Sequence, residues 1–257
     1  MWLRLRQIAL VAPKLAPAVE EFQEILGLDV CFRDPGVGQF GLENALLPLG
    51  NQFVEIVAPV KEGTAGGRYL ERRHGAGGYM FITQCNEHAP RRKRVEELGV
   101  RIVFHFETDD FLNMQMHPRD TGGTFFEIDE QLGEGAHELD GPWEPAGGDG
   151  WQTARRTDRV GGIVNAEIQV DDPEKTAARW AEIVELTVTR DANDNPFLQL
   201  DNAGARFVPC ADGRPEGLGG LDLLANDRES IISAAKARNC LRDDDQIYLC
   251  GMRLNLL

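Results

Sequence analysis

Residues 164–188, VNAEIQVDDPEKTAARWAEIVELTV, align without a gap to residues 6–30, RQIALVAPKLAPAVEEFQEILGLDV. Trp180 falls on Phe22, Ile183 on Ile25, Leu186 on Leu28 and Val188 on Val30. Such a repeat restricts the chain to a fold assembled from copies of one supersecondary unit, each covering another's apolar face. In the first copy RQIALVAP is strand-like, and APAVEEFQEILGL puts Val19, Phe22, Ile25 and Leu26 on one helical face, with Gly27 as a C-terminal stop. Strand-like pieces follow at DVCFR, FGLENALLPL and QFVEIVAPV, a β–α–β–β–β unit ending near Val60.

A second copy opens at GYMFITQ, passes through the helix PRRKRVEELGV and closes with RIVFHFE, LNMQMH and TFFEID. The copy at 164–188 is the third. A fourth opens at GGLDLLAND, where Asn226 and Glu229 make a capping-box pattern, and closes with QIYLCGMRLNLL. The expected fold class is α+β, with four βαβββ modules in two pairs. The expected division is an N-terminal domain 1–130, a linker 131–160 rich in Gly, Pro and charge with Trp143 and Trp151 as anchors, and a C-terminal domain 161–257.

The net charge of −15, from 27 basic and 42 acidic residues, argues against nucleic acid and against an anionic membrane as partners. No apolar run is long enough to span a bilayer. The five cysteines are odd in number and show no CxxC spacing, which points to reduced thiols in a cytoplasmic protein.

One carboxylate stands out. In HPRDTGGTFFEID, a turn-rich segment feeds a strand in which Phe125 and Glu127 share one face and Thr124, Phe126 and Ile128 the other. A carboxylate on an inward face is costly unless paired. Glu127 therefore faces water, binds a cation or does proton chemistry.

The segments QIALVAPKLAPAVEEFQEILGL, FVEIVAP, GGYMFI and HPRDTGGTFFEID together resemble the vicinal oxygen chelate superfamily of glyoxalase, bleomycin-resistance and dioxygenase-like proteins. The resemblance covers residues 5–130 well and 160–257 more faintly, and HPRDTGG…E is similar to the hairpin of the methylmalonyl-CoA epimerase-like branch. It implies two tandem half-barrels. In metal-dependent members one side chain from the opening strand and one from the closing strand of each module hold a divalent cation. Those places here are Gln7, Glu55, Met80 and Glu127. Gln7, Glu55 and Glu127 offer oxygen ligands suited to Mn, Ni, Co, Fe or Zn. Met80 stands where the family usually has His, and a thioether is a poor ligand for a hard cation, so a cup without metal is the alternative. In the C-terminal half Asn165, Gly220 and Asn255 fall on Gln7, Met80 and Glu127, with the fourth place near Phe207 or Val208. That degenerate copy is expected to hold no metal.

The superfamily contains isomerases, lyases, dioxygenases, thiol transferases and binding proteins. The function implied is isomerase- or lyase-type proton transfer next to a carbonyl, with Glu55 and Glu127 as catalytic groups. Phe53, Met80, Ile82, Met114, Met116 and Phe125 would line the substrate pocket. The alternative is metal-free sequestration of a small ligand without turnover. His117 reads as a hairpin element rather than a base, and PRRKR as a solvated helix face. Arg68, Arg72 and Arg73 read as a solvated helix end, or as a contact for an anionic substrate tail. The expected partners are a small-molecule ligand and a second copy of the chain in a homodimer.

Overall fold

The computed structural model describes residues 1–257. β1 (Leu3–Val11) leads into α1 (Leu15–Leu26), whose buried face is Leu15, Ala18, Val19, Phe22, Ile25 and Leu26. Gly27 is left-handed at φ 72°, and its N–H caps the Gln23 carbonyl. β2 (Leu42–Leu49) and β3 (Gln52–Pro59) complete the first unit. DVCFR, expected as a strand, makes only a single bridge from Phe32 to Leu46. α2 (Ala65–Arg73) connects to the second unit, which comprises β4 (Gly77–Cys85), α3 (His88–Glu97), β5 (Ile102–Glu107), β6 (Phe111–Met116), the short α4 (Pro118–Thr121) and β7 (Phe125–Gln131). The plan then recurs as β8 (Val160–Val170), α5 (Pro173–Val184), β9 (Thr189–Arg190), β10 (Pro196–Gln199) and β11 (Gly204–Pro209), followed by β12 (Gly217–Ala225), α6 (Arg228–Ala237), β13 (Gln246–Leu249) and β14 (Met252–Leu256).

In the first half the strands run β2-β3-β1-β4 and on to β7-β6-β5. β1 is parallel to β3 and antiparallel to β4, and β8 has the same relation to β11 and β12. The two halves meet where β4 touches β12 at Gly78 and Leu218. A side chain on Gly78 would begin 2.5 Å from the Leu218 Cβ, so the junction needs glycine there. No helix is long and apolar enough to cross a membrane. All five cysteines are free.

β1 is buried along its whole length because one face packs on helices and the other lines a cup. The helix-side faces of both halves form one apolar core. Trp180 of α5 ties it together: its ring stacks on Phe126 at 4.3 Å, meets Phe81 and Phe207 edge-on, and donates its indole N–H to the Thr121 carbonyl. The C-terminal half thus supplies core to the N-terminal half.

Several local expectations shift. The cap of α6 is Asp227, which accepts from the Ser230 N–H, because Asn226 is drawn away to the Thr157 carbonyl. The PRRKR run is not simply solvated: Arg91 is buried and donates to the Trp2 and Val184 carbonyls, and Arg94 reaches the Glu182 carbonyl, so the run fastens α3 to α5. Arg73 is not a solvated helix end either, since its buried guanidinium donates to the Pro215 and Leu218 carbonyls across the junction. Residues 131–160, expected as a linker, form a strap packed against the first half, with Trp143 and Trp151 fully buried. Arg4 and Arg6 clamp it through the carbonyls of His137, Glu138, Leu139 and Gly141. Arg6 departs from strand alternation at an irregularity between Leu5 and Gln7, which places its guanidinium over the Phe53, Trp143 and Trp151 rings.

Candidate active site

Residues directly opposite one another on neighbouring strands share a face, so the register defines the cup. Gln7 lies opposite Phe53 and Ile82, and Ala9 opposite Glu55 and Met80. Met80 lies opposite Phe125, Ile82 opposite Glu127, Glu127 opposite Gln115, and Asp129 opposite Asn113. The curvature brings Gln7, Glu55, Met80 and Glu127 to one concave face, together with the expected lining residues Phe53, Ile82 and Phe125.

Met114 and Met116 do not line this cup. They lie opposite Ile128 and Phe126 and are buried in the shared core on the helix side. The cup face of β6 is Phe111, Asn113 and Gln115. An expectation that apolar residues line the pocket misplaces the phase by one residue, because β6 turns two amides toward the acids.

Two acids dominate the floor. Glu55 is 9% exposed, and both its oxygens accept from amides: Gln7 Nε2 at 3.0 Å and Asn44 Nδ2 at 2.7 Å. Burial raises its pKa, against the pull of those two hydrogen bonds. Glu127 is 7% exposed, and burial pushes it up to about 7, while hydrogen bonds from Asp129 and Asn113 oppose the rise and the Glu55 charge adds to it. Asp129, fully buried, is raised by burial and by the neighbouring Glu127 charge, and Asn113 Nδ2 donates to it at 2.9 Å. Glu127 and Asp129 sit two residues apart on one strand face, and burial together with the neighbouring charge raises both.

Aromatic side chains pack both ends of the cup. The strap closes one end with Trp143 and Trp151, and Trp143 Nε1 donates to Gln7 Oε1 at 2.8 Å. Tyr69 of α2 closes the other end, packed with Val11, Val57 and Tyr79. At the rim, Phe40 from the segment before β2 meets Phe104 of β5, with ring centroids 5.4 Å apart. Asn44, Asp129, Asn113, Gln115 and the role of Trp143 escaped the sequence reading. Asp129 was within reach, since it sits two residues from Glu127 on the same strand face.

His117 is a structural cap: its Nδ1 accepts from the Arg119 N–H at the start of α4. The side chains present do not fit the divalent cation of metal-dependent relatives. No three His, Cys, Asp or Glu side chains converge as a metal-binding group, and Met80 offers only its sulfur, 4.0 Å from Gln115 Nε2.

The matching cup of the C-terminal half has opposite chemistry. Glu167 lies opposite Arg206, so Arg206, one residue before the expected Phe207 or Val208, takes the place of Glu55. Arg206 grips Asp222 at 2.8 and 3.0 Å and reaches Glu167 at 3.2 Å. Arg253 joins Glu167 to Asp212, both at 2.6 Å, and Arg214 holds Asp212 from the other side. Burial works to raise Asp222 and Asp212, but the Arg206 bond on Asp222 and the Arg214 bond on Asp212 hold both below the usual carboxylate range.

Residues 8–184 match the Glyoxalase-like domain family. The chain belongs to that family. It is 24% identical over 135 residues to an ethylmalonyl-CoA/methylmalonyl-CoA epimerase of Cereibacter sphaeroides, a span of 49% of this chain and 97% of the relative. A hypothetical protein from Staphylococcus aureus shares the fold from end to end, with a TM-score of 0.65 at 11% identity over 100% of this chain and 99% of the other. A methylmalonyl-CoA epimerase from Mycobacterium tuberculosis superposes on 51% of the chain and 89% of its own length at 22% identity, with a TM-score of 0.45.

Proposed function

We propose that the N-terminal cup carries out isomerase-type proton transfer beside the carbonyl of a small acid derivative. Glu55 removes the proton, and the Glu127–Asp129 pair supplies one. The observation that carries this reading is the unequal setting of the two acids. Glu55 is fixed on both oxygens by amide donors that favour its charged form, whereas Glu127, pushed up to about 7 by burial, lies beside a second buried acid, Asp129. An exchange of configuration at carbon needs such a base and such an acid in one water-poor chamber. The similarity to an ethylmalonyl-CoA/methylmalonyl-CoA epimerase makes 2-substituted malonyl thioesters the first compounds to test. In this reading residues 1–130 supply the acids, the strap 131–160 walls the cup, and residues 161–257 complete the core.

The test is proton NMR in deuterium oxide with ethylmalonyl-CoA, methylmalonyl-CoA and simpler 2-substituted acids. Loss of the α-proton signal, abolished by Glu55→Gln and by Glu127→Gln, is the expected result. A second reading, binding without turnover, is favoured by the aromatic lining of Phe53, Phe111, Trp143 and Trp151. It would be selected by a compound that binds with no exchange and whose affinity merely changes in the two variants.

A further inference from the structure

The polarity of the Gln7 amide decides what this cup can hold. An indole N–H only donates, and a carboxylate oxygen only accepts. Because Trp143 Nε1 donates to Gln7 Oε1 at 2.8 Å, the amide oxygen points to the strap and its NH2 group to Glu55 at 3.0 Å. Asn44 is fixed the same way. Its Oδ1 accepts from the Asp34 backbone N–H at 2.8 Å, which leaves Nδ2 to face Glu55 at 2.7 Å. Both amides therefore turn N–H groups, not oxygens, toward the carboxylate. For Gln7 to ligate a cation its oxygen would have to turn inward, setting its NH2 against the buried indole N–H, two donors with no acceptor between them.

We infer that the N-terminal cup works without a divalent cation, and that Trp143 is the positioning residue that disarms the ligand place expected at Gln7 by fixing its amide. The two amide donors do at Glu55 what a cation does in a metal site: they hold the carboxylate still and favour its charge. The Met80 thioether is the second obstacle. Sequence position alone hides the first, because Gln is an acceptable ligand until its partner on the strap is known.

The experiment compares metal content of the full-length protein and its variants after incubation with Co²⁺, Mn²⁺, Ni²⁺ or Zn²⁺ and desalting. Wild type and Met80→His should retain no stoichiometric metal. Met80→His combined with Trp143→Phe, which frees the amide, should retain one ion per chain and bind Co²⁺ about 10–100-fold more tightly than Met80→His alone. Met80→His combined with Gln7→Glu should do the same with the strap intact. A carboxylate accepts from Trp143 with one oxygen and turns the other inward, so this variant decides the matter if loss of the indole impairs folding. One equivalent in wild type, lost in Glu127→Gln, overturns the inference. Full loading of Met80→His alone, or no loading of either double variant, overturns the part assigned to Trp143. Metal content is read without substrate, so it stands or falls separately from the exchange assay.

Discussion

The two cups of this chain are built on one strand plan and handle buried charge in opposite ways. The N-terminal cup surrounds Glu55, Glu127 and Asp129 with amides and aromatic rings and gives them no guanidinium or ammonium partner, so burial lifts their pKa values. The C-terminal cup places Arg206 where the first has Glu55, and Arg253 where the first has Phe125, and each carboxylate there is gripped by a guanidinium. A paired buried charge is inert, whereas a buried acid held near neutrality can exchange a proton. The two copies thus differ in kind: one buries carboxylates among amides and rings, and the other is a satisfied ion-pair lattice whose half presents Trp180 to the common core.

The sharpest way to break this contrast is by activity. Glu55→Gln or Glu127→Gln should lower α-proton exchange by about 10²–10⁴-fold, the usual worth of a general acid or base. Asp222→Asn in the other cup should leave the rate within about twofold. A comparable loss in Asp222→Asn would show that the second cup takes part.

Stability gives the next largest difference. Arg206→Met leaves Asp222 buried without its cation, while Glu167 keeps Arg253, and should cost about 3–5 kcal/mol in urea unfolding at pH 7. That loss should fade in acid, since carboxylates with depressed pKa stabilise above their unfolded pKa and lose the effect as pH falls through the folded value.

Glu127→Gln should move stability the other way. The native pKa of about 7 lies above the ordinary 4.5, so the native cup keeps a proton that the unfolded chain releases. Wild-type stability therefore falls as pH rises from about 4.5 to 7. The variant should match wild type at pH 4 and exceed it at pH 8, by an amount on the order of 3 kcal/mol. The smallest effect expected is Met80→Leu, a volume-conserving change in the cup that should cost less than about 1.5 kcal/mol by the same unfolding measurement.

Much of this architecture is legible in the sequence, because a repeated strand–helix–glycine cadence leaves few folds open. Glu55, Glu127 and Gln7 could be brought to one cup by repeat position alone. What could not be read depends on single-residue phase and on distant contacts. Irregularities in the β1–β4 pairing and between Ile102 and Phe104 break strict alternation, and β6 places Asn113 and Gln115 rather than Met114 and Met116 beside the acids. Arg206 lies one position from the expected Phe207 or Val208, in a β8–β11 register that runs without interruption. Trp143 reaches Gln7 from 136 residues away, within a stretch whose Gly and Pro content resembles a flexible connection. Only the folded chain shows that Arg4, Arg6 and two indoles hold it down.

The most direct test of this account is a carbon-13 NMR titration of the side-chain carboxyls in wild type and Glu127→Gln from pH 3 to 9. The account predicts that Glu127 titrates near 7 in wild type, that the Asp129 response changes when Glu127 becomes Gln, and that Asp222 and Asp212 stay ionised down to below pH 4. Titration of Glu127 near 4, alongside the C-terminal acids, would contradict the distinction between the two cups.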